Sequence, residues 1–141
     1  LDPKGDPRTT GWRSSQPIPW DGAPCANQIW WTPYLDGSAG RLIRFGWTFT
    51  TSIAGPTECM VSAYYPPPPS GHSGGTAHYT ISGGGAPRPV TVVQADYKGT
   101  WHPLGTYRIT SGRVDVTLDN TGADPTPWQG VIAGPIHVSC R

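Results

Sequence analysis

Apolar and polar residues alternate along this chain in short stretches, and glycine and proline interrupt them. Leu42 to Thr50 puts Ile43, Phe45, Trp47 and Phe49 on one face. Cys59 to Tyr65 puts Cys59, Val61 and Ala63 together and leaves Tyr64 out of phase with them. Pro66-Pro67-Pro68-Pro69 ends that stretch, because proline has no N–H to give a ladder. Ala77, Tyr79 and Ile81 then share a face, and Gly83-Gly84-Gly85-Ala86-Pro87 turns the chain. Pro89 to Ala95 follows, and Leu104 to Thr110 carries Tyr107 and Ile109 inward. The cleanest alternation has Val114, Val116 and Leu118 inward and Asp115, Thr117 and Asp119 outward. Val131 to Cys140 closes the chain with Ile136, Val138 and Cys140 inward, and Ile29-Trp30-Trp31-Thr32 is the first strand signal. A period of two is the signature of a half-buried strand. About eight short strands between turns predict an all-β fold, a sandwich or a barrel.

Residues 1–27 read differently. Asp2-Pro3, Asp6-Pro7, Gln16-Pro17 and Ile18-Pro19 are turn or extended dipeptides, which predicts an irregular Pro-rich arm ahead of a domain over 28–141. The chain opens on Leu1-Asp2-Pro3 without a start Met or signal peptide, and so reads as a mature or excised piece of a longer protein.

Composition supports strands. Gly (19) and Pro (17) make roughly a quarter of the 141 residues, a level at which disorder is an option. Seven Trp, six Tyr and two Phe supply the core material that disordered chains lack. Helix formers are scarce: Glu58 is the one Glu, and Lys4 and Lys98 are the two Lys. That excludes a helical bundle. No apolar run approaches membrane-spanning length. The formal net charge of +1, with no basic cluster, argues against a nucleic-acid partner.

Three cysteines, Cys25, Cys59 and Cys140, form no C-x-x-C pair, so a zinc site is not expected. The Trp- and Thr-rich, Lys-poor composition suggests secretion, where one disulfide plus a leftover thiol is natural. Cys59 starts one strand on its apolar face and Cys140 ends another on its own. Antiparallel neighbours would bring the two sulfurs together, so Cys59–Cys140 is the favoured pair and Cys25–Cys59 the main competitor.

Several segments together carry a resemblance. They are Trp30-Trp31-Thr32-Pro33, Cys59-Met60-Val61-Ser62-Ala63-Tyr64-Tyr65-Pro66, Ala77-His78-Tyr79-Thr80-Ile81, and Gly99-Thr100-Trp101-His102-Pro103-Leu104-Gly105-Thr106-Tyr107. Their order and spacing resemble the golvesin C-terminal-like domain, also called the xanthan-lyase carbohydrate-binding-like domain, over residues 28–140. The resemblance implies a jelly-roll-like antiparallel β-sandwich, bacterial and secreted, appended to extracellular enzymes or surface proteins and linked with polysaccharide binding. The chain departs from the pattern at its closing strand. There it reads Ala133-Gly134-Pro135-Ile136-His137-Val138 where the family carries Ala-Asp-Ala-Val.

A small β-sandwich binds glycans with exposed, coplanar aromatic faces and nearby polar groups. The candidates are Trp128 and Tyr97 in loops, Trp20 in the arm, and Tyr64 on the out-of-phase side of its strand. Trp47, Trp101 and one of Trp30 and Trp31 are expected in the core, by apolar periodicity or by the family pattern. His72, His78, His102 and His137 show no metal-ligating spacing, and no G-x-S-x-G occurs, so catalysis is not expected. Asp115 and Asp119 read as solvent-face polarity rather than a hydrolytic pair. No cofactor is expected, although Asp21, Asp36 or Asp124 could join backbone carbonyls around a structural Ca²⁺. The expectation is therefore a secreted, non-catalytic module that binds a polysaccharide or cell-surface glycan through aromatics. The alternative is a protein-interaction module, an adaptor, inhibitor or assembly subunit. Its partner would be another secreted protein or a preceding domain of the same chain, met by the Pro-rich arm and Pro66–Pro69.

Overall fold

A computed structural model describes residues 13–14, 30–33, 42, 44–65, 75–97, 99–121 and 130–141. The strands are β1 (Arg13–Ser14), β2 (Trp30–Pro33), β3 (Arg44–Thr50), β4 (Thr57–Tyr65), β5 (Thr76–Ser82) and β6 (Arg88–Val93). A 3-10 turn over Gln94–Tyr97 leads to β7 (Thr100–Ile109), β8 (Arg113–Asp119), β9 (Gly130–Ala133) and β10 (Ile136–Cys140). Among the described residues no helix is long and apolar enough to cross a membrane.

Two antiparallel sheets form a jelly-roll-like sandwich. One has the order β3-β8-β5-β6 and the other β10-β4-β7. The chain crosses between them from β3 to β4, from β4 to β5, from β6 to β7 and from β7 to β8. A third small sheet, β1-β2-β9, includes two residues of the expected arm, with Arg13 opposite Trp31 and Ser14 opposite Trp30.

Alternation in the sequence becomes burial in the fold. β4 sends Cys59, Val61, Ala63 and Tyr65 into the core, and β8 sends Val114, Val116 and Leu118 to meet them. Ala77, Tyr79 and Ile81 come from β5, and Ile136 from β10. Phe45, Trp47 and Phe49 of β3 are half-buried and packed against this core.

The disulfide is Cys59–Cys140, with the sulfurs 2.03 Å apart. Its position follows from the ladder. Glu58 and Arg141 exchange both backbone hydrogen bonds (Arg141 N to Glu58 O 2.8 Å, Glu58 N to Arg141 O 3.3 Å). The adjoining pair, Cys59 opposite Cys140, is then the closer kind of antiparallel pair, and its Cα atoms are 4.0 Å apart. Cys25 lies outside the described residues.

β7 carries a bulge. Val61 is opposite Gly105 and Ser62 is opposite Pro103, so Leu104 is the extra residue. Gly105 adopts φ +138°, and a Cβ there would lie 2.8 Å from the Tyr107 hydroxyl. The bulge changes the parity of β7: Leu104 and Tyr107, three apart, both turn inward, and so does Ile109.

Gln94 ties the third sheet to the sandwich. Its side chain is buried, its amide donates to Ile132 O (2.7 Å), and Ile132 N donates back to its carbonyl (2.9 Å). One side chain thus does for β9 what a neighbouring strand would do.

Candidate functional site

The two outer faces of the sandwich differ in chemistry. On the four-stranded sheet the outer positions are Thr48 of β3, Arg113, Asp115, Thr117 and Asp119 of β8, and His78, Thr80 and Ser82 of β5. These groups hold one another. Thr48 donates to Asp115 (2.7 Å), Arg113 pairs with Asp115 (2.8 Å), and Thr121 N donates to Asp119 (3.0 Å). The Arg113 guanidinium holds the Asp115 carboxyl below its usual range. Asp115 and Asp119 thus have structural partners on a polar face, as their alternation suggested.

The three-stranded sheet presents a different outer face. Its central strand, β4, puts Glu58, Met60, Ser62 and Tyr64 there. The register sets Tyr64 opposite Trp101, Ser62 opposite Pro103 on one side and His137 on the other, and Met60 opposite Thr106 and Ser139. Trp101 and Met60 are each 44 % exposed, and Tyr64 is half-buried. The Tyr64 and Trp101 rings lie 5.5 Å apart at 55°, and His137 meets Trp101 at 5.9 Å and 68°. Three rings from three strands therefore form one cluster.

Trp101 was expected in the core and is not there. Two-residue alternation back from buried Leu104 puts His102 inward and Trp101 and Pro103 outward, and the structure follows that parity. The family pattern pointed the other way. The signal for this residue was therefore present in its own strand.

Tyr64 stands on the outer face, as its phase suggested. Tyr97 does not join it. It lies in the 3-10 turn, packs against the core, and stacks on His102 at 3.7 Å and 28°. Tyr97 therefore stands apart from the Tyr64–Trp101–His137 cluster. Trp20 and Trp128 lie outside the described residues, as do Asp21, Asp36 and Asp124.

No protein-family model matches this sequence, and no curated protein matches it. Along the outer face the ring cluster gives way to a depression of about 260 Å³ lined by Glu58, Met60, Thr106, Ser139 and Arg141. The surface thus runs from aromatic to polar along the strand direction. An aromatic ring presents an electron-rich face to C–H groups, and the flanking hydroxyl, carboxylate and guanidinium groups match hydroxyls. The 55° tilt makes the aromatic end a shallow angled cradle rather than the coplanar table expected of a glycan platform.

Proposed function

We propose that this protein is a non-catalytic, secreted binding module that holds a polysaccharide chain on the outer face of β10-β4-β7. The observation that carries the proposal is the Tyr64–Trp101–His137 cluster. An exposed Trp beside a Tyr, on one flat sheet face, leads into a polar depression. Single exposed apolar residues are ordinary, whereas a cluster in register across three strands is a surface with a purpose.

The tilt selects the form of the ligand. A flat crystalline surface would need rings in one plane. Rings at 55° suit a single chain whose successive sugars are turned against each other. The resemblance to golvesin-like domains points to the same ligand class, and the Cys59–Cys140 disulfide is compatible with an extracellular setting. Such a module acts by raising the local concentration of whatever it is attached to.

The test is a binding screen against a broad soluble polysaccharide panel, followed by tryptophan fluorescence, with Trp101→Ala and Tyr64→Ala. Losing the central aromatic anchor should weaken binding at least ten-fold, about 1.4 kcal/mol or more. An unchanged far-UV spectrum should show that the fold is kept. A blank panel, or wild-type affinity in Trp101→Ala, would overturn the proposal and shift weight to the protein-interaction reading. The Pro-rich segments on which that reading draws, the arm and Pro66–Pro69, lie outside the described residues apart from Arg13 and Ser14.

A further inference from the structure

On the described residues β6 and β7 are edge strands of the two facing sheets, and a cleft of about 390 Å³ opens beside them. Arg88 of β6 and Arg108 of β7 line it, with Tyr107, Thr106, Ser82 and the Gly83-Gly84 turn. Among the described residues no carboxylate lines it. Neither guanidinium has a hydrogen-bond or ion-pair partner among the described residues, although Arg113 on the adjoining hairpin pairs with Asp115 through its Nε. Glu58 is opposite Arg108 in the ladder but lines the neighbouring depression, and no ion pair joins the two.

The cleft adjoins the polar depression of the outer face. Thr106 lines both it and the 260 Å³ depression. β7 itself spans the distance, with Trp101 near one end and Arg108 near the other. At about 3.3 Å per residue they are some 20 Å apart, so a chain laid along β7 covers both.

We propose that this cleft is the anion subsite of the glycan-binding face: Arg88 and Arg108 take a carboxylate or sulfate substituent of a chain whose rings lie on Trp101 and Tyr64. The inference rests on the glycan-binding reading and adds the class of ligand, an acidic polysaccharide. The guanidinium fork suits both anions, since each presents two coplanar oxygens to it. The Gly83-Gly84 wall is fixed in place, because Gly83 O accepts Thr110 N (3.0 Å), Ser111 N (3.0 Å) and the Ser111 hydroxyl (2.8 Å). The backbone wall of the cleft is therefore in place before any ligand arrives, and the two guanidiniums are free to turn onto an anion.

The experiment uses two pairs of polymers, each an acidic polymer and its uncharged counterpart on the same sugar backbone. Polygalacturonate and its fully methyl-esterified form test the carboxylate, and dextran sulfate and dextran test the sulfate. Affinities are measured by calorimetry for wild type, Arg88→Gln/Arg108→Gln and Trp101→Ala. The wild type should bind the acidic member of at least one pair ten-fold or more tighter than its neutral counterpart. The double arginine variant should lose that preference and keep the neutral affinity. Trp101→Ala should weaken both members of the pair alike. Equal affinity within both pairs, or a preference that survives in the arginine variant, overturns the acidic-ligand inference while leaving the platform standing. A charge preference carried by the arginines with no effect of Trp101→Ala overturns the shared site. No binding to any polymer here or in the wider panel overturns both.

Discussion

Replacing both cysteines of the disulfide should cost this fold a large and calculable share of its stability. The bond joins residues 81 apart, so it closes most of the sandwich into one loop. In the chain-entropy model a loop of that size removes about 4.5 kcal/mol of denatured-state freedom. Unfolding entropy of about 2.1 cal/mol/K per residue gives about 0.3 kcal/mol/K for a chain of this length, so Cys59→Ala/Cys140→Ala should lower Tm by roughly 15 °C. The variant should still fold. β10 keeps its five-residue register with β4, the Thr57 hydroxyl still donates to Arg141 O, and Glu58 and Arg141 keep their reciprocal bonds. The assay is a thermal melt by calorimetry and far-UV dichroism, with a chemical denaturation in parallel. A Tm within about 3 °C of wild type would refute the reasoning, because the denatured chain would then gain little freedom from losing the link. A variant with no folded baseline at all would refute it from the other side, since pairing of β10 would then depend on the covalent bond rather than on the ladder.

Three further outcomes follow from the packing. Gly84→Ala would place a Cβ 1.6 Å from Arg108 O, so the turn must move; it should cost about 3 kcal/mol in a denaturant titration, while Gly46→Ala, with 3.9 Å to its nearest neighbour, should stay within about 0.5 kcal/mol. Gln94→Leu should cost about 2–4 kcal/mol, because it leaves the N–H and C=O of Ile132 unsatisfied, and hydrogen exchange should rise at Ile132 before the rest of the core. Burial raises the Tyr79 phenol to about 12 and pushes the Tyr65 phenol up as well, against about 10 in an unfolded chain. The folded state therefore holds protons that the unfolded state releases. Stability should be complete below about pH 10 and fall by about 2.7 kcal/mol per pH unit from there to about pH 12, with Tyr79→Phe roughly halving the slope.

Much of this was legible in the residues. The parity of Cys59 and Cys140 on their strands predicted the pair that forms, and the valines of β8 predicted its buried face. Gln94 continues the alternation of Val90 and Val92, so its inward direction could be read, but not its partner Ile132, which is 38 residues away in sequence. Trp101 shows how a strong local rule can be set aside for a borrowed one. Alternation from Leu104 places it outward, and the bulge, at Leu104 itself, lies beyond it and does not disturb that parity. The stacking of Tyr97 on His102 had no local signal, because it depends on a tight turn bringing Gln94–Tyr97 back onto the strand that follows it.

The same strand that anchors the core also builds the proposed site. β4 is the central strand of its sheet, paired along its length with β7 and over Cys59–Ala63 with β10. Its odd positions hold Cys59, Val61, Ala63 and Tyr65 in the interior, and its even positions hold Glu58, Met60, Ser62 and Tyr64 on the outer face. A ligand on that face meets side chains whose backbone is fixed from both sides and from below. The ordering cost that loop-built sites incur on binding is then small. The face should therefore discriminate by shape and charge rather than adapt to its ligand. Trp101 and Arg108, held on one strand at opposite ends of the face, set that shape. A ligand too short to span them gains one contact and not both, so affinity should rise stepwise with oligosaccharide length until both are engaged and stay level beyond that.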